Sequence, residues 1–126
     1  MNAESIDRQF ERLLEPHSPE IAATARAIRA LVHAELAEPV EQVDFANKLL
    51  AIGTSERMRD LLFAIIPHRA HVNLQLADGV DLPDPAGLIE GTGKRIRHIK
   101  VRSPEAASSA AVLRAVRAQI AGSRAG

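Results

Sequence analysis

The feature that most constrains this chain is the change of pattern at Pro39. Upstream, Ile21, Ala25, Ile28, Val32 and Leu36, helped by Leu31, recur at helical spacing and keep to one face. Downstream, Val40–Phe45, Lys48–Gly53, Leu61–Ile66 and His71–Leu76 read as four extended segments separated by turn-prone stretches such as GTSER and PHR. A parallel crossover needs roughly a dozen residues or more, so connections this short predict antiparallel pairing. Leu61–Ile66 is apolar on both faces and belongs at the centre of a sheet. In the next segment His71, Asn73 and Gln75 alternate with Val72, Leu74 and Leu76, which predicts one polar and one buried face.

The flanks supply the helices. Ile6, Phe10, Leu13 and Leu14 form a short amphipathic helix with Ser5 placed to cap it. Pro16 and Pro19 end that helix, and Ser18 caps the next one, where Pro19 is tolerated in the first turn. Residues 77–94, ADGVDLPDPAGLIEGTGK, are irregular. Asp84 before Pro85 predicts a short helical turn through Ile89, ended by Gly91 or Gly93, and Ile96–Val101 then returns as a fifth strand. Ser103 and Pro104 open a last helix over Glu105–Ile120, with Ala107, Ala111, Leu113 or Val112, Val116 and Ile120 as its core side; the GSRAG tail is expected to fray. The expectation is one α+β domain over residues 1–126. It has two N-terminal helices, an antiparallel sheet of about five strands, a short helical turn before the last strand and a C-terminal helix. All the helices need the apolar face of the sheet to bury their stripes.

Composition removes several classes of function. Lys plus Arg and Asp plus Glu both number 16, so no net field draws the chain to nucleic acid or to an anionic membrane. Three Phe with no Tyr or Trp leave nothing on which to build a base-stacking platform. The absence of cysteine excludes disulfides, thiolate zinc sites and cysteine nucleophiles, and fits a reducing compartment. The longest apolar run, LLFAII, is far short of the roughly 20 residues that span a bilayer. MNAESIDRQFERLLE lacks the apolar core of a signal peptide, and a cytoplasmic protein is expected.

The most unusual stretch is GLIEGTGKRIRHIK, Gly87–Lys100. A phosphate-binding P-loop needs a glycine five residues before its GK and a Ser or Thr after the lysine, and Leu88 and Arg95 stand there instead. Gly91 and Gly93 can still expose successive amide N–H groups beside Lys94, Arg95, Arg97 and His98, the ingredients of an anion-binding nest. In a strand, Arg95, Arg97 and Ile99 share one face, and Lys94, Ile96, His98 and Lys100 the other. The competing reading is an edge strand guarded by cations against mispairing. His17, His33, His68, His71 and His98 show no metal-binding spacing, and Asp78, Asp81 and Asp84 do not fit a calcium loop. Ser55 in GTSER lacks the setting of a nucleophile, and Ser5, Ser18 and Ser103 are accounted for as caps. Neither a metal, a cofactor nor a catalytic residue is indicated.

Residues Asp81–Lys100, DLPDPAGLIEGTGKRIRHIK, resemble the C-terminal signature of the YdhG-like family, a group of small bacterial proteins whose shared domain has no established activity. The opening IDR helix, VEQVDF and HVNLQLADG extend the resemblance from about Ile6 to Val116. It implies an α+β fold with helices packed on an antiparallel sheet. Some members are described as frataxin-like iron chaperones, and many carry aromatic residues after the first strand, where DFANKLL stands here.

Together these readings predict a non-catalytic binding domain for a small anionic molecule. Its pocket is expected where the loop from Asp84 to Lys94 meets the polar face of His71, Asn73 and Gln75. Lys94, Arg95 and Arg97 would neutralise charge, the amides at Gly91 and Gly93 would donate hydrogen bonds, Asp84 or Glu90 would orient the cations, and His98 and Asn73 would border the ligand. The alternatives are iron delivery through Glu4, Asp7, Glu11 and Glu15, in competition with the neighbouring Arg8 and Arg12, and a homodimeric interaction module.

Overall fold

A computed structural model describes residues 3–125. Helices α1 (Ile6–Leu14) and α2 (Pro19–Glu35) come first, then strands β1 (Val40–Asp44), β2 (Leu49–Gly53), β3 (Leu61–Pro67), β4 (Val72–Leu76), β5 (Ile89–Glu90) and β6 (Arg97–Val101), then helices α3 (Pro104–Ala107) and α4 (Ala110–Ala125). The six strands form one sheet in the order β1-β2-β3-β4-β6-β5, and every neighbouring pair is antiparallel.

The caps lie where side-chain chemistry puts them. Ser5, Ser18 and Ser103 accept from the backbone N–H of Arg8, Ile21 and Ala106 at 3.2, 3.2 and 3.1 Å. Each satisfies a donor that the first helical turn leaves open. The same chemistry corrects the single C-terminal helix expected from periodicity. Ser109 Oγ accepts from Val112 N–H at 3.2 Å and starts a new helix, so the chain breaks at Ser108–Ser109. The core side of α4 includes Val112 rather than Leu113, together with Ala115, Val116 and Ile120. The helix also runs on through Ala125, so most of the tail expected to fray is helical; residue 126 lies outside the described residues.

All the helices lie on one side of the sheet. Phe10, Ile28 and Val32 meet Leu50, Ile52, Phe63, Ile65, Leu74 and Leu76 in one continuous apolar core. The other side of the sheet is open. It carries Gln42, Ala51, Ala64, Asn73, Gln75, His98 and Lys100, which the strand register places across from one another.

One charged group lies inside the helix layer. Glu41 on the edge strand β1 points inward, its side chain 5% exposed. Arg29 of α2 grips it with Nε and Nη2 at 2.9 and 2.8 Å, and His33 Nε2 lies 3.0 Å away. Burial works to raise the Glu41 carboxyl, but the hydrogen bonds from Arg29 and His33 outweigh it and hold it below the ordinary carboxylate range. An inward-pointing charge on an edge strand also opposes pairing with another sheet.

The segment between β4 and β6 differs most from the sequence reading. The helical turn expected from Asp84 to Ile89 is a single hydrogen-bonded turn at Pro85–Ala86, closed by Gly87 N–H donating to the Asp84 carbonyl at 3.1 Å, and Ile89–Glu90 is instead a sixth strand. A 3-10 turn lies earlier, at Gly79–Asp81. Gly79 is required there, because a methyl in its place would collide with the Cβ of Arg97.

Candidate functional site

Register settles which way the basic strand faces. Leu76 pairs with Arg97, Leu74 with Ile99 and Val72 with Val101, so Arg97 shares the helix side with buried Ile99 and Val101. Asn73 pairs with Lys100 and Gln75 with His98, and these four share the open side, joined by Glu90 across from His98.

The residues expected to form one site therefore occupy several places. Arg97 Nε donates to the Gly93 carbonyl at 2.8 Å, which ties the guanidinium to its own loop. Glu90 lies 3.7 Å from Lys100 Nζ. The Asp84 carboxylate accepts from the N–H groups of Leu88 and Ile89 at 2.8 and 3.0 Å, so it caps its own bend and orients no cation. Gly91, at a φ of 122°, makes the reversal between β5 and the loop, a conformation that side-chain-bearing residues rarely adopt. Lys94 is exposed at the loop tip. The Pro83–Ile89 segment lies over Ile99 and the Ala111–Ala115 face of α4, on the helix side rather than over Asn73. The space beneath it is about 10 Å³, room for no more than one water.

Arg95 lies at a real opening. Where β3 begins and β4 ends, a cleft of about 1000 Å³ is floored by buried Leu36, Leu62 and Ile120 and rimmed by exposed Met58 and Ile96. That volume is at the upper end of what small-molecule sites occupy. Arg95 is held over it at two points. Its carbonyl accepts from Val80 N–H at 3.0 Å, and its Nη2 forms a short ion pair with Asp78 Oδ1. The guanidinium, 74% exposed, makes no other hydrogen bond or ion pair among the described residues. Asp78 is fixed in turn by Gln119 of α4, which is wholly buried. The Gln119 Oε1 accepts from Asp78 N–H at 2.8 Å and its Nε2 donates to Asp78 Oδ2 at 2.9 Å. Gln119 first and Arg95 second hold the Asp78 carboxyl below its ordinary range. From sequence Asp78 stands out only as part of a poorly fitting calcium loop, and Gln119 is not singled out. The available signal was a glutamine lying on the apolar stripe of α4, where a polar side chain must find a buried partner.

The open face carries a second polar group. The rings of His68 and His71 lie 4.9 Å apart, and Asn73 Nδ2 lies 3.3 Å from His68 Nε2. Desolvation first, then the charges of His68, Lys100 and Arg102, push the His71 imidazole below its ordinary value of 6.5.

Of the four acids of the iron-delivery alternative, Glu4 pairs with Arg12 at 2.9 Å, Asp7 with Arg29 at 2.8 Å and Glu11 with Arg26 at 2.7 Å, while Glu15 makes no ion pair among the described residues. Among the described residues no three His, Asp or Glu side chains converge on a metal position. No described helix is long and apolar enough to cross a membrane. No protein-family model, curated protein or solved structure matches this chain.

Proposed function

We propose that this protein is a binding domain for a small organic anion, held in the cleft at the β3–β4 end of the sheet with Arg95 as its anion contact. The observation that carries the reading is Arg95 itself. A buried glutamine fixes an aspartate, the aspartate fixes one arm of the guanidinium, and the remaining N–H donors face an apolar-floored opening. A guanidinium has five N–H donors in a planar fork. Arg95 can therefore accept a carboxylate or phosphate side-on without releasing Asp78. The floor of Leu36, Leu62 and Ile120 favours a ligand with an aliphatic body over a bare inorganic ion. A cytoplasmic setting and membership of the YdhG-like family belong to the same proposal; the α+β layering agrees with what that resemblance implies.

Titration calorimetry with octanoate, octyl phosphate and octylamine tests the reading. The two anions should bind, and Arg95→Met should weaken them at least about tenfold, the loss of roughly one charge-assisted pair. Binding of octylamine alone would assign the cleft to cations through Asp60, Asp78 and Asp81 and end the proposal, as would the absence of heat from all three.

A further inference from the structure

The open sheet face carries a group of side chains that neither the fold nor the cleft uses. Asn73 and Gln75 of β4 lie on this face with His71 just before the strand, and β6 sets Lys100 directly across from Asn73. Arg102 follows β6 directly, and its charge acts on the His71 imidazole. His68 comes from the turn before β4, its ring packed on that of His71 and its Nε2 3.3 Å from the Asn73 amide. Asn73 Oδ1 is buried and has no hydrogen-bond partner among the described residues. An orphaned amide oxygen on a folded sheet is uncommon, since nearly all buried polar side-chain atoms are satisfied.

The charge here is one-sided. The groups around His71 are His68 and Arg69 in the turn, Asn73 on its own strand, and Lys100 and Arg102 on β6. The acid at this edge is Glu90 of β5, beyond Lys100 at 3.7 Å and half exposed. Arg102 makes no ion pair among the described residues. Two fixed cations, two stacked imidazoles and an unsatisfied amide on a flat surface have no evident structural purpose, because the core lies on the other side of the sheet.

We propose that His71, Asn73, Lys100 and Arg102 form a second binding site, on the open face, for the phosphate group of a small soluble phosphomonoester. Lys100 and Arg102 supply fixed charge to a dianion. Asn73, across from Lys100, steadies the imidazole pair through its Nδ2, 3.3 Å from His68 Nε2. His71 supplies the third cation when protonated. A carboxylate gains less here, because it brings one negative charge to a cluster of cations where a phosphomonoester brings up to two. A transition metal fits poorly, since Lys100 and Arg102 would repel it from the two histidines.

His71 makes this site pH-responsive, and the sign follows from linkage. In the free protein desolvation and the neighbouring cations depress the imidazole. A bound dianion reverses that field and raises the His71 pKa, so affinity for the dianion itself strengthens as His71 takes up its proton, while protonation of the ligand to a monoanion near about pH 6 opposes it.

The test follows the His71 ring by NMR through a pH titration, in inorganic phosphate and in chloride matched for ionic strength. Phosphate should raise the His71 midpoint by about 0.5 pH units or more relative to chloride. Glycerol 3-phosphate should do the same. Lys100→Gln combined with Arg102→Gln should abolish the difference while octanoate binding in the cleft persists, which keeps this site separable from the first. Glu90→Gln should enlarge it, because Glu90 competes for Lys100. Identical titrations in phosphate and chloride would overturn the proposal by reducing the effect to screening. So would a shift that survives loss of both cations, or a response confined to phosphatidic-acid vesicles with none to free phosphate.

Discussion

Two arginines, one beside the edge strand β1 and one just before β6, each held by a carboxylate, show how a fold spends a guanidinium or keeps it available. Arg29 is consumed. Its Nε and Nη2 grip Glu41, Nη2 also reaches Asp7, its face lies 5.1 Å from the centre of the Phe10 ring, and only 15% of its side chain meets solvent. Arg95 gives a single donor to Asp78 and leaves 74% of its side chain exposed. Desolvation makes the difference. Arg29 pairs with a carboxylate that has lost its water, and the pair's hydrogen bonds must replace that water in full. Around Arg95 water supplies whatever Asp78 does not, so the remaining donors can be handed to a ligand.

The contrast is broken most directly at Arg29. Arg29→Met leaves Glu41 buried without its main partner, a loss of about 3 kcal/mol or more by urea denaturation. The pH profile should change with it. Glu41 is held below its ordinary value of 4.5 in the folded state, so its contribution is fully present above that value and fades as pH falls through the lower, folded one. In Arg29→Met the carboxyl keeps the burial that raises it and loses the bonds that lower it, so this part of the acid-side loss should shrink or reverse. A variant as stable as the parent at pH 7 would show that Glu41 is satisfied by His33 and water, and the two arginines would no longer differ in kind.

How much of this was legible in the sequence follows from the range over which each feature is determined. Ser5, Ser18 and Ser103 cap helices by bonds spanning three residues, and all three can be found by reading along the chain. Strand β3 is legible as an unbroken apolar run between turn signals, and β4 because its alternation is long enough to show a period. Strand β5 is two residues long and has no period, so Ile89–Glu90 passed for the end of a turn. The break at Ser108–Ser109 lies inside an apolar repeat that continues in step on both sides, which hides it. The site was legible as an inventory and not as an arrangement. Arg95 stands out in the sequence only as one cation of a basic strand, but its partner Asp78 lies 17 positions away and the support for Asp78 comes from 41 positions away. Such pairings depend on how the loop between β4 and β6 crosses the end of the sheet, and no local pattern encodes that.

Gln119 tests whether the Asp78 end is organised for function or only for stability. Gln119→Leu keeps most of the volume and removes both hydrogen bonds, leaving the Asp78 N–H and one carboxylate oxygen to find water. A loss of about 2 kcal/mol is expected in thermal or urea unfolding, typical of an orphaned polar pair at a partly buried position. Octanoate affinity should fall in the same variant, because Asp78 no longer holds Arg95 in place. A stability loss with unchanged affinity would reduce Gln119 to a cap on the β4 turn and leave Arg95 to orient itself.

The smallest expected effect is the most informative about the cleft. Arg95→Met removes an exposed ion pair, and exposed pairs contribute roughly 0 to 1 kcal/mol, so its unfolding curve should nearly overlay that of the parent. Methionine also extends the apolar rim beside Ile96, which offsets part of the lost charge. Stability near the parent value together with at least a tenfold loss of octanoate binding would mark Arg95 as a residue the fold does not need and the ligand does. If unfolding instead costs as much as Arg29→Met, Arg95 is already committed to the fold through Asp78 and Gln119. Few of its donors would then remain for an anion, and the distinction between the two arginines would be lost.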